Sequence, residues 1–133
     1  MIKALAHTCF VVRDLAAAEA FYRGKLGLQH AFDFINDSGE RFGAYLHVGG
    51  RSFLELFQGQ PEAPSQSSSF RHICLEVEDL EAAVAKLRGQ GLEVPDPALG
   101  SDNTWQVWLS DPDGNCIELH QYTAQSLQTP SLA

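Results

Sequence analysis

An α+β fold made of two copies of one strand–helix–strand–strand–strand unit is what this sequence predicts, and three observations carry the prediction. The strand start Ala6-His7-Thr8-Cys9 returns as Arg71-His72-Ile73-Cys74, and each histidine stands seven residues ahead of an aspartate, Asp14 or Asp79, that opens an alanine-rich helical pattern. Leu54-Glu55-Leu56 returns as Ile117-Glu118-Leu119; the histidines lie 65 residues apart and the glutamates 63. Between the copies, residues 59–69 hold two prolines and four serines without periodicity, which marks a linker. The expected organisation is a single domain over 1–133, with modules at 3–58 and 70–122 and the linker 59–69 between them.

Taken in order, residues 3–12 alternate as a strand, with His7, Cys9 and Val11 on one face and Thr8, Phe10 and Val12 on the other. Asp14 caps a helix over 15–25, where Leu15, Ala18, Phe21, Tyr22 and Leu26 fall at helical spacing and Gly27 supplies the stop. Strands at 28–36 and 41–48 flank the turn Asn36-Asp37-Ser38-Gly39, and Gly49-Gly50 leads into a fourth strand at 51–58. The second copy starts with a strand at 70–77, then a helix at 80–89 capped by Asp79 and ended by Gly89 and Gly91. A short strand at 92–94 runs into Pro95 and Pro97, and a loop covers 98–103. Strands at 104–110 and 115–122 are joined by the turn Asp111-Pro112-Asp113-Gly114, and the tail from Thr123 is irregular.

A chain of 133 residues can bury about two thirds of its unfolded surface, whereas a half-length module alone is marginal. The modules are therefore expected to pair their sheets around a cavity. Nine Lys and Arg against 17 Asp and Glu give a net charge of −8 without a basic cluster, which argues against nucleic acid and anionic membrane as partners. The absence of a signal-like or membrane-length apolar run predicts a cytoplasmic protein. Cys9, Cys74 and Cys116, with no CxxC spacing, read as reduced thiols.

Alternation also assigns faces. Phe10, Val12, Ile73, Leu75, Val77, Leu54, Leu56, Ile117 and Leu119 form the apolar faces that helices cover, which sends His7, His72, Glu55 and Glu118 to the opposite, cavity-lining face. Two neutral imidazoles and two carboxylates neutralise a divalent cation, and on an octahedral ion they leave two positions for water or substrate oxygens. Such donors suit nickel, cobalt, zinc, manganese or iron.

These residues resemble the vicinal oxygen chelate superfamily, the glyoxalase, bleomycin-resistance and extradiol-dioxygenase group, over Leu5 to Tyr122; Asp111-Pro112-Asp113-Gly114-Asn115 leading into Ile117-Glu118-Leu119 is the most recognisable stretch. The resemblance implies paired βαβββ modules forming a cupped mixed sheet around a metal-binding cavity. It places the ligand pattern of glyoxalase I (lactoylglutathione lyase) on His7, Glu55, His72 and Glu118. It also implies a lyase or isomerase acting on a small hydroxy-carbonyl or oxo substrate through a metal-stabilised enediolate, with Glu118 or Glu55 as the base, and a homodimer is common in such chains. A metal-independent drug-binding or resistance protein and an Fe(II) extradiol-type dioxygenase stay open as alternatives.

By the same parity, Tyr45, Phe53, Phe57, Gln106 and Trp108 line the cavity, and Arg41, His47 and Arg51 share that face near strand ends as candidates for a substrate carboxylate. The three cysteines fall beside the proposed ligands, and Glu76 and His120 also lie on inward positions.

Overall fold

A computed structural model of the chain describes residues 1–63, 65 and 67–132, so Pro64 and Gln66 of the expected linker, and Ala133, lie outside the described residues. The chain divides into two compact units, Met1–Ala63 and Pro64–Ala133. Each is a four-stranded mixed sheet with a helical segment on one face.

In the first unit, β1 (His7–Val12) leads into the helix α1 (Leu15–Glu19), and β2 (Gln29–Ile35), β3 (Arg41–Gly49) and β4 (Ser52–Gln58) follow. The sheet order is β1-β4-β3-β2, with β1 parallel to β4 and the other pairs antiparallel. The second unit repeats the plan with β5 (Ile73–Glu76), α2 (Leu80–Gly89), β6 (Ala98–Leu99), β7 (Trp105–Ser110) and β8 (Cys116–Gln121), ordered β5-β8-β7-β6. The α+β reading in two βαβββ units thus describes the molecule.

The helices start where the sequence predicts. Asp14 Oδ1 accepts the Ala17 amide at 3.0 Å, and Asp79 Oδ1 accepts the Ala82 amide at 2.9 Å. A second device, not anticipated, ties each helix to its sheet: Gln58 Oε1 accepts the Leu15 amide and Gln121 Oε1 the Leu80 amide. The two glutamines stand 63 residues apart, the same interval as the glutamates, so the repeat contained this signal. Gly27 and Gly91, at φ of 78° and 83°, end the helical segments.

Helix burial builds each core. Phe10, Val12, Ala44, Leu46, Leu54 and Leu56 are buried on the face where α1 packs, beneath Leu15, Ala18, Phe21 and Tyr22. Ile117, Leu119 and Val107 meet Leu80, Val84 and Leu87 in the same way. Truncating one of these leucines to alanine costs about 2–5 kcal/mol.

Several elements differ from expectation. The helix expected over 15–25 widens after Glu19 into a π-helical stretch, Ala20–Lys25, where the Leu26 amide donates to Phe21 O. That wider turn buries the neighbouring Phe21 and Tyr22 rings together at 5.1 Å. The strand expected over 70–77 starts at Ile73, so His72 immediately precedes it, while His7 is the first residue of β1. Residues 92–94 form no strand: Pro95 and Pro97 have no amide to donate, and the Val94 carbonyl accepts the Arg88 guanidinium instead. The paired segment is Ala98–Leu99, inside the stretch read as a loop, opposite Gln106 and Trp105. The tail from Thr123 is irregular apart from a 3-10 turn at Thr129–Ser131, yet it is tied down, since Thr104, buried, donates to Ser126, and Gln128 donates to Asp102. Among the described residues no helix is long and apolar enough to cross a membrane.

Candidate metal centre

Two strand ends and two hairpins position the predicted ligands. In the first unit Glu55 sits mid-strand in β4, opposite Cys9 on β1 and Tyr45 on β3. Alternation with buried Leu54 and Leu56 fixes its carboxylate on the face that α1 does not cover. His7, at the mouth of β1, brings Nε2 to 3.7 Å from Glu55 Oε2. In the second unit Glu118 lies opposite Cys74 and Trp108, and His72 Nε2 reaches to 3.2 Å from Glu118 Oε2. Both glutamates are mostly buried, at 15% and 12% side-chain exposure, while both imidazoles are far more open, at 44% and 36%.

These separations bear on metal binding. Two donors at about 2.1 Å from one ion and at right angles stand about 3 Å apart. The His72–Glu118 pair is already near that spacing, and His7–Glu55 needs a small side-chain adjustment. Each unit thus offers one imidazole nitrogen and one carboxylate oxygen in adjacent positions, a donor set that fits a divalent cation.

The hairpin that delivers Glu118 is built by Asp111. Its Oδ1 accepts the amides of Asp113 and Asn115 at 2.9 and 2.8 Å, and its Oδ2 accepts Asn115 Nδ2 at 2.8 Å. Gly114 closes the turn at φ 82°. The registry of β7 against β8 follows from this turn and sets the face on which Glu118 lies.

Both glutamates have a thiol neighbour. Burial, followed by the hydrogen bond to Glu55 and its charge, pushes the Cys9 thiol up to about 11. Burial, followed by the charge of Glu118 and a hydrogen bond to it, pushes Cys74 up to about 12. The second unit adds a group the first lacks: buried His120, whose Nδ1 lies 3.2 Å from Cys74 Sγ and 3.9 Å from Glu118 Oε1. The corresponding position after Glu55 is Phe57.

The residues predicted to touch substrate divide. Tyr45 stacks on Phe53 at 5.0 Å and lies 5.8 Å from the His7 ring, so these three gather beside the first pair. Phe57 lies in the same array, and His47 packs on Phe53 while its Nε2 lies 3.1 Å from Gly50 O. Trp108 meets His72 edge-on at 4.7 Å, and Gln106, half-buried, lies opposite His120. Arg51 is exposed at the β3–β4 turn.

Arg41 goes elsewhere. Opposite Phe34 and Ile35 the β2–β3 ladder skips Phe42, and the extra residue turns Arg41 to the helix side. There its guanidinium pairs with buried Glu19 and with Asp33. Asp33 also bonds His30 at 2.8 Å, and this contact, with the Arg41 bonds, holds its carboxyl below the usual range. Phe42 takes the open face instead, its ring nearly parallel to Phe57 at 5.7 Å. A second skip, at Ala31, places His30 beside Asp33. The cluster Glu19–His30–Asp33 gathers metal-binding side-chain types, but Arg23 and Arg41 already neutralise it. The rings of Phe32, Phe34 and Phe42 were not anticipated, because strict alternation does not register a bulge.

Comparison with known proteins agrees with this architecture. A family model described as "Glyoxalase/Bleomycin resistance protein/Dioxygenase superfamily" matches residues 4–119. The uncharacterized protein YaeR of Escherichia coli (strain K12) is 28% identical over 128 residues, covering 90% of this chain and 97% of YaeR. The crystal structure of the glyoxalase family protein from Enterococcus faecalis is similar at 27% identity and a TM-score of 0.74, over 89% of this chain and 97% of that one. TnmS3, an antibiotic binding protein from Streptomyces sp. CB03234, is similar at 28% identity and a TM-score of 0.75, over 92% and 98%.

Proposed function

The chain belongs to the Glyoxalase/Bleomycin resistance protein/Dioxygenase superfamily, and from that premise we propose that it is a metal-dependent lyase or isomerase of glyoxalase type acting on a small hydroxy-carbonyl or oxo compound. The observation that carries this reading is the recurrence of one geometry in both units, a histidine Nε2 set against a glutamate Oε2 at 3.7 and 3.2 Å. A lone pair of this kind is ordinary sheet decoration; two at matching positions of a repeat are not.

In this reading His7, Glu55, His72 and Glu118 hold one divalent ion, nickel, cobalt, zinc, manganese or iron. When bound, the ion supplies a Lewis acid for a substrate carbonyl. The protein supplies the base: Glu55 or Glu118, each mostly buried, takes a proton from the carbon beside the carbonyl at a carboxylate oxygen and returns it to the neighbouring position. Tyr45, Phe53, Phe57, Gln106 and Trp108 orient the substrate, with His47 and Arg51 at the strand ends. Free Cys9, Cys74 and Cys116 accord with a reducing cytoplasmic setting, and a homodimer is part of the same reading.

Metal content of the protein as purified, measured by inductively coupled plasma mass spectrometry against a folded His7→Ala, His72→Ala variant, tests it. About one first-row ion per site, lost in the variant, is expected. No metal in either protein after incubation with nickel, cobalt, zinc and manganese overturns the enzyme reading.

The likeness to an antibiotic binding protein and the ring-rich open face favour a second reading, capture of a small drug without chemistry. It requires ligand affinity that chelators leave unchanged.

A further inference from the structure

The second unit holds a set of donors that the metal centre proposed above leaves unused. We propose that Cys74, Glu118 and His120 form a second metal site, one that takes a thiophilic divalent ion such as zinc or cadmium.

The donors converge. His120 Nδ1 lies 3.2 Å from Cys74 Sγ and 3.9 Å from Glu118 Oε1, and one ligand atom from each of the three residues lies within 4.8 Å of the others. Donors on one tetrahedral ion, each about 2.0–2.3 Å from it, stand about 3.3–3.6 Å apart. Small side-chain adjustments reach that spacing.

Strand pairing brings the three together. Cys74 stands opposite Glu118 in the parallel β5–β8 ladder, and Glu118 and His120, two residues apart on β8, share a face. Backbone registry therefore fixes all three, and rigid elements hold a coordination geometry better than loops do. Glu76, opposite His120 in the same ladder, adds a carboxylate to that face.

Glu118 stands between the two sites. Its Oε2 lies 3.2 Å from His72 Nε2 and its Oε1 3.9 Å from His120 Nδ1, so each site has one carboxylate oxygen. The repeat singles out the added donor. Cys9 stands opposite Glu55 as Cys74 does opposite Glu118, but the residue two places after Glu55 is Phe57, so the buried imidazole belongs to the second unit.

Charge and softness select the ion. A thiolate and a carboxylate neutralise a divalent cation, and a neutral imidazole completes the set, with the fourth tetrahedral position left to water. Sulfur favours zinc and cadmium over magnesium, calcium and manganese. Cys74 is exposed, which gives an ion a way in, and binding releases the thiol proton to solvent. The group Glu19, His30 and Asp33 offers no sulfur and is already neutralised by Arg23 and Arg41.

An ion here competes for Glu118 with an ion held by His7, Glu55, His72 and Glu118; this consequence alone rests on the metal-centre reading.

The test titrates the full chain, metal-stripped and reduced, with cadmium and follows the ultraviolet thiolate-to-cadmium absorption. The band is expected in the wild type and in a Cys9→Ser, Cys116→Ser variant, and is absent from Cys74→Ser. His120→Phe, which copies the first unit's residue, weakens cadmium affinity at least about tenfold. Circular dichroism checks folding, and His120→Gln repeats the measurement with a smaller side chain. No band in the wild type, a band that survives Cys74→Ser, or unchanged affinity in the folded His120 variants overturns the proposal. So does loss of the band in the His7→Ala, His72→Ala variant, which assigns the ion to the other centre with Cys74 as a neighbour. If that variant keeps the band and all the metal that the wild type takes up, the metal-centre reading fails while the Cys74 site stands.

Discussion

His72 Nε2 lies 3.2 Å from Glu118 Oε2, joining the entry of β5 to the middle of β8. The pair gives the second unit a nitrogen and an oxygen donor that neither strand supplies alone. Replacing Glu118 with Gln keeps the side-chain volume and a hydrogen bond to the imidazole but removes the charge. Under the proposed function, metal affinity is expected to fall by at least about tenfold and turnover by at least about a hundredfold, with the melting curve little changed. Competition with a colorimetric chelator and steady-state assays measure both, and near-normal turnover assigns the base to Glu55 instead.

Arg41 bridges Glu19 at the end of α1 to Asp33 on β2. Arg41→Ala leaves the Glu19 carboxylate, 10% exposed, to Arg23 alone, and costs about 2 kcal/mol in urea unfolding, below the cost of breaking a fully buried pair because Arg41 is itself one-third exposed. Asp33 sits below its ordinary value in the folded protein, so its contribution is present above the unfolded carboxyl value and is lost as pH falls through the folded one. The variant accordingly loses part of the wild-type decline in stability below about pH 4.

The thiols give an alkaline counterpart. Cys9 and Cys74 are raised from 9.0 to about 11 and about 12, so the folded state favours the protonated thiols. That preference is fully present below pH 9 and is lost as pH rises toward 11–12. In metal-free protein at pH 8 both thiols alkylate with iodoacetamide at least about a hundredfold more slowly than free cysteine, as peptide mass spectrometry will read. The Cys9→Ala, Cys74→Ala variant flattens the fall in urea midpoint above pH 9.

Asp111 is the hub of the β7–β8 turn, with three acceptor contacts to two residues. Asp111→Ala leaves the Asp113 and Asn115 amides without that acceptor and costs about 2–3 kcal/mol. Because the turn sets the register that places Glu118, the proposed metal site is expected to weaken as well; chemical unfolding and the chelator competition run on one preparation separate the two effects.

The repeat made much of this legible in advance. Period-two alternation needs only neighbouring residues, so it placed Leu54 and Leu56 under the helix and Glu55 opposite them, and the matching interval exposed the paired His and Glu positions. Asp14, Asp79, Gly27 and the Asp111 turn act locally and were readable for the same reason. The tertiary structure decided what depends on a partner strand. The skips at Phe42 and Ala31 arise where the β2–β3 ladder goes out of step, and one inserted residue reverses the face of everything beyond it. That reversal turned Arg41 from a candidate substrate contact into a strut for Glu19 and added Phe32 and Phe42 to the open face. The burial of His120 against Cys74 likewise depends on how β5 and β8 pair, a contact between residues 46 apart that no local pattern encodes.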